Sequence, residues 1–385
     1  MKVLLYLPYE KLAPKGGPLG VGYNINQELK RRGITTVEFY HDNRNQKSEG
    51  KIGQLFKWIK SYISLFYFPT EKKSDLFNQY DIVHFQSVKD FYRERRAIKK
   101  FKGKTVLTSH SPVPMALEMY EDIKNKFPKF KSELLLKKLK KIDEYAFSSA
   151  DFIIFPCEYA EEPYINNWKE YSDIRARRKS RYFYCPTGIV PSKAKRSEED
   201  VKKELNLQKD TFLISYVGRH NAVKGYDTLK KIGSQILARD EKVSFVICGK
   251  EYPMSGLEHE RWIEIGWTND AHSYINAADV FVLPNKETFF DLIMLEVLSL
   301  GKIVVASRTG GNKFFEEHGV KGVFLYNTLE EAVEIIEKIK TMSKEERLDL
   351  ENQNKEYFEK NLTVSQYLDK YLGIISQIAN KEDGR

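Results

Sequence analysis

The sequence predicts an α/β protein made of two doubly wound domains. Three observations favour this fold class: the chain length, the alternation of strand-like and helical runs in each half, and a proline- and charge-rich stretch between the halves. A chain of 385 residues is too long for one ordinary core and suits two domains of roughly 150–200 residues. We expect an N-terminal domain at 1–190 and a C-terminal domain at 191–363, with a helix at 364–385 able to pack back on the first.

The N-terminal half contains five short apolar runs, rich in β-branched and aromatic residues, that are typical of buried strands. They are KVLLYLP at 2–8, TTVEFYH at 35–41, DIVHFQS at 81–87, KTVLTSH at 104–110 and DFIIFPC at 151–157. A glycine-rich loop, KGGPLGVG, follows the first run, and a helical pattern then continues to Gly33. Strands that alternate with helices in this way indicate βαβ units and a parallel sheet.

The C-terminal half repeats this plan after the linker-like stretch PTGIVPSKAKRSEED at 186–200. Its strand-like runs are FLISYVG at 212–218, VSFVICG at 243–249, VFVLP at 280–284 and KIVVAS at 302–307. Helical patterns lie between these runs, and another, SQYLDKYLGIISQIA, lies near the end of the chain. Ligands of doubly wound sheets bind beyond the carboxyl ends of the strands. We therefore expect two domains facing each other across a cleft, with the site in the loops that follow the strands.

Charge and cysteine content limit the class of protein. The net charge of +9 and pI of about 9.0 favour an anionic partner, or reflect a lysine-rich surface. No nucleic-acid-binding motif accompanies the charge, so we expect no nucleic-acid partner. Cys157, Cys185 and Cys248 lack metal or redox spacing and indicate buried thiols of a reducing compartment. No apolar run resembles a signal peptide or a membrane span, which predicts a cytoplasmic, soluble or peripheral protein.

Two cations follow the strand at 212–218. Arg219 and Lys224 lie in the loop, and Gly225 opens the next helical pattern. Cations beside a helix N-terminus suit an anion, most naturally a diphosphate. The alternative is a pair of solvated surface cations.

A mostly apolar helical pattern carries one carboxylate. The stretch NKETFFDLIMLE at 285–296 ends in Glu296, and the four residues that follow are mostly apolar. Because a buried carboxylate is costly without hydrogen-bond partners, Glu296 requires either a ligand or an internal ion pair, for which Lys302 and Lys313 are candidates.

These motifs resemble those of retaining glycosyltransferases of family four, which have the GT-B fold of two Rossmann-like domains. The matching residues are Gly218, Arg219, Lys224 and Gly225 in a G-R-x-x-x-x-K-G loop, Ala278 to Pro284 in the strand ADVFVLP, and Phe290, Leu292 and Glu296 in an E-x-F-G pattern with a second Glu. PTGIV at 186–190 is similar to the family's P-N-G-V turn. The resemblance covers nearly the whole chain and is strongest over 212–312.

The resemblance assigns roles to the motif residues. It implies that Glu296 accepts hydrogen bonds from the ribose hydroxyls of a sugar nucleotide. The chain departs from the family at the first Glu: Thr288 stands there, Glu287 is one position early, and Asp291 replaces a glycine. Either Glu287 still reaches the donor sugar, or Thr288 and Asp291 have taken over. The implied donor-binding residues are Gly17, Arg219, Lys224, Thr288, Phe290, Leu292 and Glu296.

Candidate residues in the N-terminal half follow strands. Gly16 and Gly17 match the family's acceptor-side glycine loop, where the backbone approaches the substrate closely. His110 matches a histidine that contacts the donor sugar or leaving phosphate, which makes it a candidate catalytic residue beside Glu287 and Asp291. His84 is similarly placed and is assigned to the acceptor side. A lone histidine is otherwise more often structural.

The function implied is retaining transfer of a hexose-type sugar from a nucleotide sugar, most readily a UDP-sugar, to a glycan, glycolipid or glycoprotein. In the family, attack proceeds from the front face and the leaving diphosphate helps to deprotonate the acceptor. No Asp-x-Asp triplet occurs, so we expect no catalytic metal and no cofactor besides the donor. The alternative is a catalytically weak paralogue that binds glycan or a partner, which the displaced Glu287 favours.

Two basic amphipathic stretches could contact an anionic membrane. One face of KIGQLFKWIKSYISLFYF at 51–68 is apolar, and KNKFPKFKSELLLKKLKKID at 124–143 surrounds leucines with lysines. Such helices can lie in an anionic interface. The alternative is a pair of ordinary helices with apolar faces toward the core.

Overall fold

The structure is a computed structural model that describes residues 1–9, 12, 17–41, 60, 62–69, 71–126 and 132–381. It divides into two compact units. The first unit comprises Met1–Phe155, Tyr164–Cys185 and Leu368–Arg385, and the second comprises Pro156–Pro163 and Pro186–Tyr367. The second unit thus takes in a short segment that follows the last long strand of the N-terminal half.

The first unit is built on a six-stranded parallel sheet, as the alternating runs predict. The strands are β1 (Val3–Tyr9), β2 (Val37–His41), β3 (Ile82–Phe85), β4 (Lys104–Leu107), β5 (Phe152–Phe155) and β6 (Tyr182–Tyr184). Their order across the sheet is β2-β1-β3-β4-β5-β6. The order changes direction between β1 and β3, so the loops after these two strands border the position where such sheets bind ligands.

Helices flank this sheet. The helices between Pro18 and Arg177 are α1 (Pro18–Arg31), α2 (Ser74–Phe77), α3 (Val88–Arg93), α4 (Arg95–Lys100), α5 (Met115–Lys126), α6 (Glu133–Ser149), α7 (Glu162–Asn167) and α8 (Tyr171–Arg177). Residues 62–67 are also helical. Stacked and edge-on rings fill much of the core, among them Phe147, which contacts Tyr164, Trp168 and Tyr171.

The second unit is built on another six-stranded parallel sheet. Its strands are β7 (Phe212–Val217), β8 (Val243–Cys248), β9 (Trp262–Gly266), β10 (Val280–Leu283), β11 (Ile303–Ser307) and β12 (Val323–Tyr326). Their order is β12-β11-β10-β7-β8-β9. This is the strand order of a dinucleotide-binding fold, in which the direction reverses between the first and fourth strands. The reversal here lies between β7 and β10.

The helices of the second half complete the unit and the end of the chain. They are α9 (Glu198–Glu204), α10 (Tyr226–Arg239), α11 (Ala271–Ala277), α12 (Leu292–Ser299), α13 (Lys313–Glu317), α14 (Leu329–Thr341), α15 (Lys344–Asn361) and α16 (Val364–Asn380). Buried strand residues such as Ile214, Val282 and Val305 pack with α10 and α14 residues in one core. The predicted α/β fold with two doubly wound sheets is confirmed.

The two basic stretches are only partly described. Residues 51–59, 61 and 127–131 lie outside the described part of the chain. Helix α6 buries Leu139, Ile142 and Phe147, so one of its faces belongs to the core, while Leu134 remains 81% exposed. No helix in the described ranges has the length and apolar content needed to cross a bilayer.

Candidate functional site

The loop after β7 lies directly against the end of β10. Gly225, the residue before α10, has φ +64°, and a Cβ at this position would lie 1.7 Å from the Pro284 carbonyl oxygen. The backbone N–H of Lys286 also donates to the Val223 carbonyl at 2.9 Å. Only glycine fits this close approach, which brings the two loops of the strand-order reversal together.

An ion pair joins these two loops. The Lys224 ammonium pairs with the Asp291 carboxylate, and the Asn285 side-chain amide donates to the same Asp291 oxygen at 2.7 Å. Lys224 follows β7, whereas Asn285 and Asp291 follow β10, so the pair spans the reversal point. The sequence prediction named Lys224 and Asp291 but missed Asn285, which stands directly after the predicted strand.

Asp291 is ionised in this setting. Burial would raise the pKa of its carboxyl group, but the Lys224 ammonium and the Asn285 amide outweigh burial and lower that pKa below the ordinary value. Asp291 occupies the N-cap position of α12, yet its side chain makes no capping hydrogen bond. The Asp291 side chain is thus committed to Lys224 and Asn285.

Arg219 differs from Lys224. Its residue is exposed, and among the described residues its guanidinium has no hydrogen-bond or ion-pair partner, while its carbonyl accepts from the Tyr216 hydroxyl at 3.0 Å. The loop therefore has one cation paired to a carboxylate and one cation open to solvent. Both types are suited to an anionic ligand, because guanidinium and ammonium groups bind phosphate oxygens strongly.

The segment between β10 and α12 is held by a glycine turn. Gly310 and Gly311 pack so closely beneath it that a Cβ on Gly310 would lie 2.0 Å from the Thr288 carbonyl oxygen. Thr288 itself is buried, with 2% exposure, whereas Glu287 is half-buried and contacts other residues of the protein. Of the two candidates for the role of the first Glu, Glu287 is the more accessible.

The two apolar candidates of this segment have different surroundings. Phe290 is 5% exposed and packs its ring on Phe314 and Phe315, with centroid distances of 5.4 and 5.5 Å. Leu292 is the half-buried first residue of α12. The Phe290 side chain therefore anchors the segment to the core. A ligand could contact this residue only through its backbone groups.

Glu296 lies one turn into α12. Its side chain is 31% exposed, and its Oε2 atom is 3.1 Å from Nε2 of His272, on α11. Neither candidate partner for an internal ion pair contacts Glu296, because Lys302 pairs with Glu351 at 2.7 Å and Lys313 pairs with Glu162. The carboxylate is thus not sealed in the core, and it remains accessible to a ligand at the carboxyl end of the sheet.

The glycine candidates of the first unit lie before α1. Gly17 is the N-cap residue of α1, with φ 76°. Gly16 lies outside the described residues. Nothing in the structure therefore bears on its predicted acceptor contact.

His110 follows β4 and is half-buried. Its Nε2 atom is 2.8 Å from Oε1 of Gln86, the residue directly after β3. Burial lowers the pKa of His110 to about 4, so the ring is neutral near pH 7 and Nε2 donates its hydrogen to Gln86. His110 thus lies near the strand-order change of the first sheet as a neutral hydrogen-bonding group.

His84 is in the core and not at the sheet edge. It is 1% exposed, and its two ring nitrogens contact the Tyr371 hydroxyl at 3.0 Å and the Thr108 hydroxyl at 2.8 Å. Burial lowers the pKa of His84 to about 3. The assignment of His84 to the acceptor side is not supported by this geometry, because both nitrogens are already bonded inside the unit.

The cysteines are buried and free, as the sequence indicates. Burial raises the pKa of Cys157, Cys185 and Cys248 to about 12, which makes these thiols unreactive. Among the described residues, no group of three or more His, Cys, Asp or Glu side chains is arranged to hold a metal ion.

Comparison with known families places this geometry in a class. The family model described as "Glycosyl transferases group 1" matches residues 211–345, and the model "Glycosyltransferase Family 4" matches residues 20–175. Solved structures with a similar fold include HepE of Anabaena in complex with UDP, at a TM-score of 0.63 and 15% identity over 98% of this chain and 100% of that one. Starch synthase IV of Arabidopsis thaliana, bound to ADP and acarbose, has a TM-score of 0.68 at 15% identity and 99% coverage of both chains.

These matches define a two-domain GT-B protein. Together the two family models span about three quarters of the chain, and the chain belongs to the family 4 type of glycosyltransferases. Curated relatives include the lipopolysaccharide 1,2-N-acetylglucosaminetransferase of Salmonella typhimurium, 25% identical over 36% of this chain and 42% of that protein. An Escherichia coli UDP-Gal:alpha-D-GlcNAc-diphosphoundecaprenol alpha-1,3-galactosyltransferase is 28% identical over 32% of this chain and 35% of that protein. The matched segments thus span well under half of these relatives.

Proposed function

We propose that this protein is a retaining hexosyltransferase that moves a sugar from a nucleotide-sugar donor, most readily a UDP-sugar, to a glycan, glycolipid or glycoprotein. One observation carries the proposal: Lys224, Asp291 and Glu296 occupy the carboxyl end of the second sheet at its strand-order reversal, beside the exposed Arg219. That position is where doubly wound sheets bind nucleotides. The family supports the same reading.

The cations provide the diphosphate contacts in this proposal. Arg219 is open to solvent and is available to phosphate oxygens without breaking an existing contact. Lys224 is paired with Asp291, so a diphosphate competes with that carboxylate for the ammonium. Glu296, one turn along α12, accepts from the ribose hydroxyls, since a carboxylate can accept from two adjacent hydroxyls at once.

Transfer then needs no enzyme nucleophile. The acceptor oxygen forms a bond to the anomeric carbon while the bond from that carbon to the phosphate oxygen breaks. The acceptor proton passes to the leaving diphosphate, which carries the electron pair of the broken bond. Attack on the face that the diphosphate leaves retains the anomeric configuration. Glu287 and Asp291 both lie in the segment between β10 and α12, beside the proposed diphosphate site. Each is proposed to contact the sugar.

The names of the relatives support a nucleotide-sugar donor. The Escherichia coli relative uses UDP-Gal by its name, and structures of the similarly folded HepE contain UDP and UDP-glucose. Donor binding is tested by thermal unfolding with UDP-, GDP- and ADP-sugars, because a ligand of the folded state raises the midpoint by mass action. A marked rise with one donor is expected, and no rise with any donor would contradict the proposal.

Turnover and stereochemistry form the second test. Nuclear magnetic resonance of the product from the identified donor should show the anomeric configuration of the donor. An inverted product would refute retention. Tight donor binding without transfer or hydrolysis would instead indicate a binding subunit.

We also propose that catalysis needs no divalent metal, since Arg219 and Lys224 can neutralise the diphosphate. Initial rates in EDTA should stay within about twofold of the untreated rate, because no metal-dependent term contributes to transition-state stabilisation. A rate that falls at least tenfold and returns with magnesium or manganese would overturn metal independence. Donor binding measured in the same buffers separates a lost metal from a lost donor.

We propose further that the protein is cytoplasmic and contacts an anionic membrane peripherally through the first unit. Tyr67, Phe68 and Leu134 are 59%, 70% and 81% exposed. The Lys138 ammonium lies 4.1 Å from the Tyr67 ring centroid, which joins the segment at 62–69 to α6. Exposed apolar side chains beside lysines suit an anionic interface.

Sedimentation with vesicles tests this contact. The protein should sediment with an equal mixture of phosphatidylcholine and phosphatidylglycerol, and Phe68→Ser and Leu134→Ser should weaken sedimentation. The control is Ile165→Ser, which changes a residue that is 53% exposed elsewhere in the first unit. Equal binding by all variants, or equal binding to neutral vesicles, would contradict the proposal.

A further inference from the structure

His272 contacts the carboxylate that the proposed function assigns to ribose. Its Nε2 atom lies 3.1 Å from Oε2 of Glu296, and the two side chains are 36% and 31% exposed. Within the described ranges, no other residue contacts the Glu296 carboxylate at hydrogen-bond distance. One carboxylate oxygen is therefore engaged by the protein and the other is left to a ligand.

The backbone beneath His272 is fixed. Asp270, the N-cap residue of α11, accepts from the Ser273 hydroxyl at 2.7 Å and from the Arg196 guanidinium at 2.8 Å. Ser273 and Ile275 are completely buried. The start of α11 is thus held on both sides of His272, while the ring itself remains accessible.

The contact joins two helices at the carboxyl end of the sheet. Helix α11 follows β9 and helix α12 follows β10, and the two helices pack together. The rest of α12 is almost entirely apolar between Leu292 and Leu300. Among the described residues, His272 is therefore the polar group that orients the Glu296 carboxylate.

We propose that His272 is a positioning residue for ribose recognition, which holds the Glu296 carboxylate in the orientation that accepts from the ribose hydroxyls. This inference rests on the proposed function, since it requires a nucleotide at Glu296. The physical basis is preorganisation: a side chain ordered before binding does not lose rotamer freedom when the ligand arrives. The histidine contact orders Glu296 in advance.

Positioning predicts an effect that depends on the ribose hydroxyls. His272→Ala should weaken binding of the nucleoside diphosphate by roughly three- to tenfold, the loss expected for ordering one flexible side chain at binding. The same variant should bind the 2′,3′-dideoxy nucleotide as the wild type does, because that ligand has no hydroxyl for Glu296. His272→Gln, which retains an N–H donor, should restore part of the affinity.

A double-mutant cycle with Glu296 isolates the coupling. In the Glu296→Ala background, His272→Ala should cause no further loss, since residues that act through one contact are not additive. His259→Ala is the matched control, because His259 precedes β9 at the opposite end of that strand. The ligands are UDP, GDP and ADP, with the dideoxy form of the one that binds most tightly, measured by calorimetry.

The outcomes separate the inference from the proposed function. Wild-type affinity in His272→Ala, or equal losses for the ribose and dideoxy ligands, would overturn the inference while the Glu296→Ala result still reports on the nucleotide site. Additive losses in the double variant would overturn it as well. Failure of the wild-type protein to bind any of the three nucleotides would overturn the proposed function and this inference together.

Discussion

The two units use similar parallel sheets but place ionisable groups differently. In the second unit, Lys224 and Asp291 form an ion pair between the two loops at the strand-order reversal. In the first unit, the candidate histidines His84 and His110 contact neutral groups, and burial lowers both pKa values, to about 3 and about 4. Among these candidate residues, the charged pair thus lies in the second unit, and the two histidines of the first unit are neutral hydrogen-bonding groups.

This difference shows that a polar residue near the end of a strand-like run belongs to a site only if it lies beyond the strand itself. His84 lies within β3 and points into the core, where two hydroxyl groups engage its ring nitrogens. Lys224 lies beyond β7 and meets a residue from another loop. The ionic contact of the second unit is therefore made by residues beyond the strand ends, whereas the histidine inside β3 makes only neutral hydrogen bonds.

Among the changes proposed here, Glu296→Ala is expected to have the largest effect, a loss of nucleotide affinity in the second unit. Loss of a charged acceptor of hydroxyl groups should cost about 1.5–3 kcal/mol of affinity for nucleoside diphosphate and full donor alike. Calorimetry with the nucleoside diphosphate measures this cost. Unchanged affinity would show that Glu296 serves only its contact with His272, and the second unit would lose its proposed ribose group.

Asp291→Asn should separate binding from turnover. Removing the carboxylate charge releases Lys224 from its ion pair, so nucleoside diphosphate should bind as tightly as to the wild type or more tightly. The rate constant kcat should fall about tenfold if Asp291 contacts the sugar as charge develops in the transition state. Steady-state kinetics beside calorimetry checks both. Unchanged kcat would transfer the role to Glu287, and weaker nucleotide binding would show that the pair is needed to hold the loop.

A smaller effect is expected in the first unit, on the pH dependence of stability. The folded-state pKa of His84 is about 3, well below the ordinary value of about 6.5. The folded state therefore excludes a proton that the unfolded chain binds, so the stability contribution is complete above about pH 6.5 and declines as the pH falls toward 3. The slope from this residue is at most about 1.4 kcal/mol per pH unit.

His84→Gln should flatten that slope between about pH 6 and pH 4, the range in which the unfolded chain takes up its histidine protons. Urea unfolding at several pH values measures it. The variant is expected to be less stable than the wild type near pH 7, since it loses packed contacts with Tyr371. An unchanged slope would show that His84 does not distinguish the two units in this way.

The sequence predicted the fold from the buried strands and missed strands at the edges. All four inner strands of each sheet follow clear apolar runs. The strands β6, β9 and β12, which the sequence reading missed, are all edge strands. In β9 the apolar pattern is interrupted by Glu264, whose carboxylate accepts from Trp262 and Tyr226.

The sequence predicts the site residues that belong to local motifs. It does not predict contacts between residues that are far apart in the chain. Lys224, Asp291 and Glu296 follow from local patterns. The pairing of His272 with Glu296, 24 residues apart, depends on the order of strands in the sheet. The candidate partners Lys302 and Lys313 likewise pair with carboxylates far away in the sequence, Glu351 and Glu162.

The central claim is that the second unit binds the nucleotide through the loops at its strand-order reversal. Hydrogen–deuterium exchange with and without the nucleoside diphosphate that stabilises the protein most tests it directly. We predict slower exchange over residues 218–226 and 286–296, and unchanged exchange around His84 in the first unit. Protection confined to the first unit, or protection of the second unit that leaves both of these segments unchanged, would contradict the account.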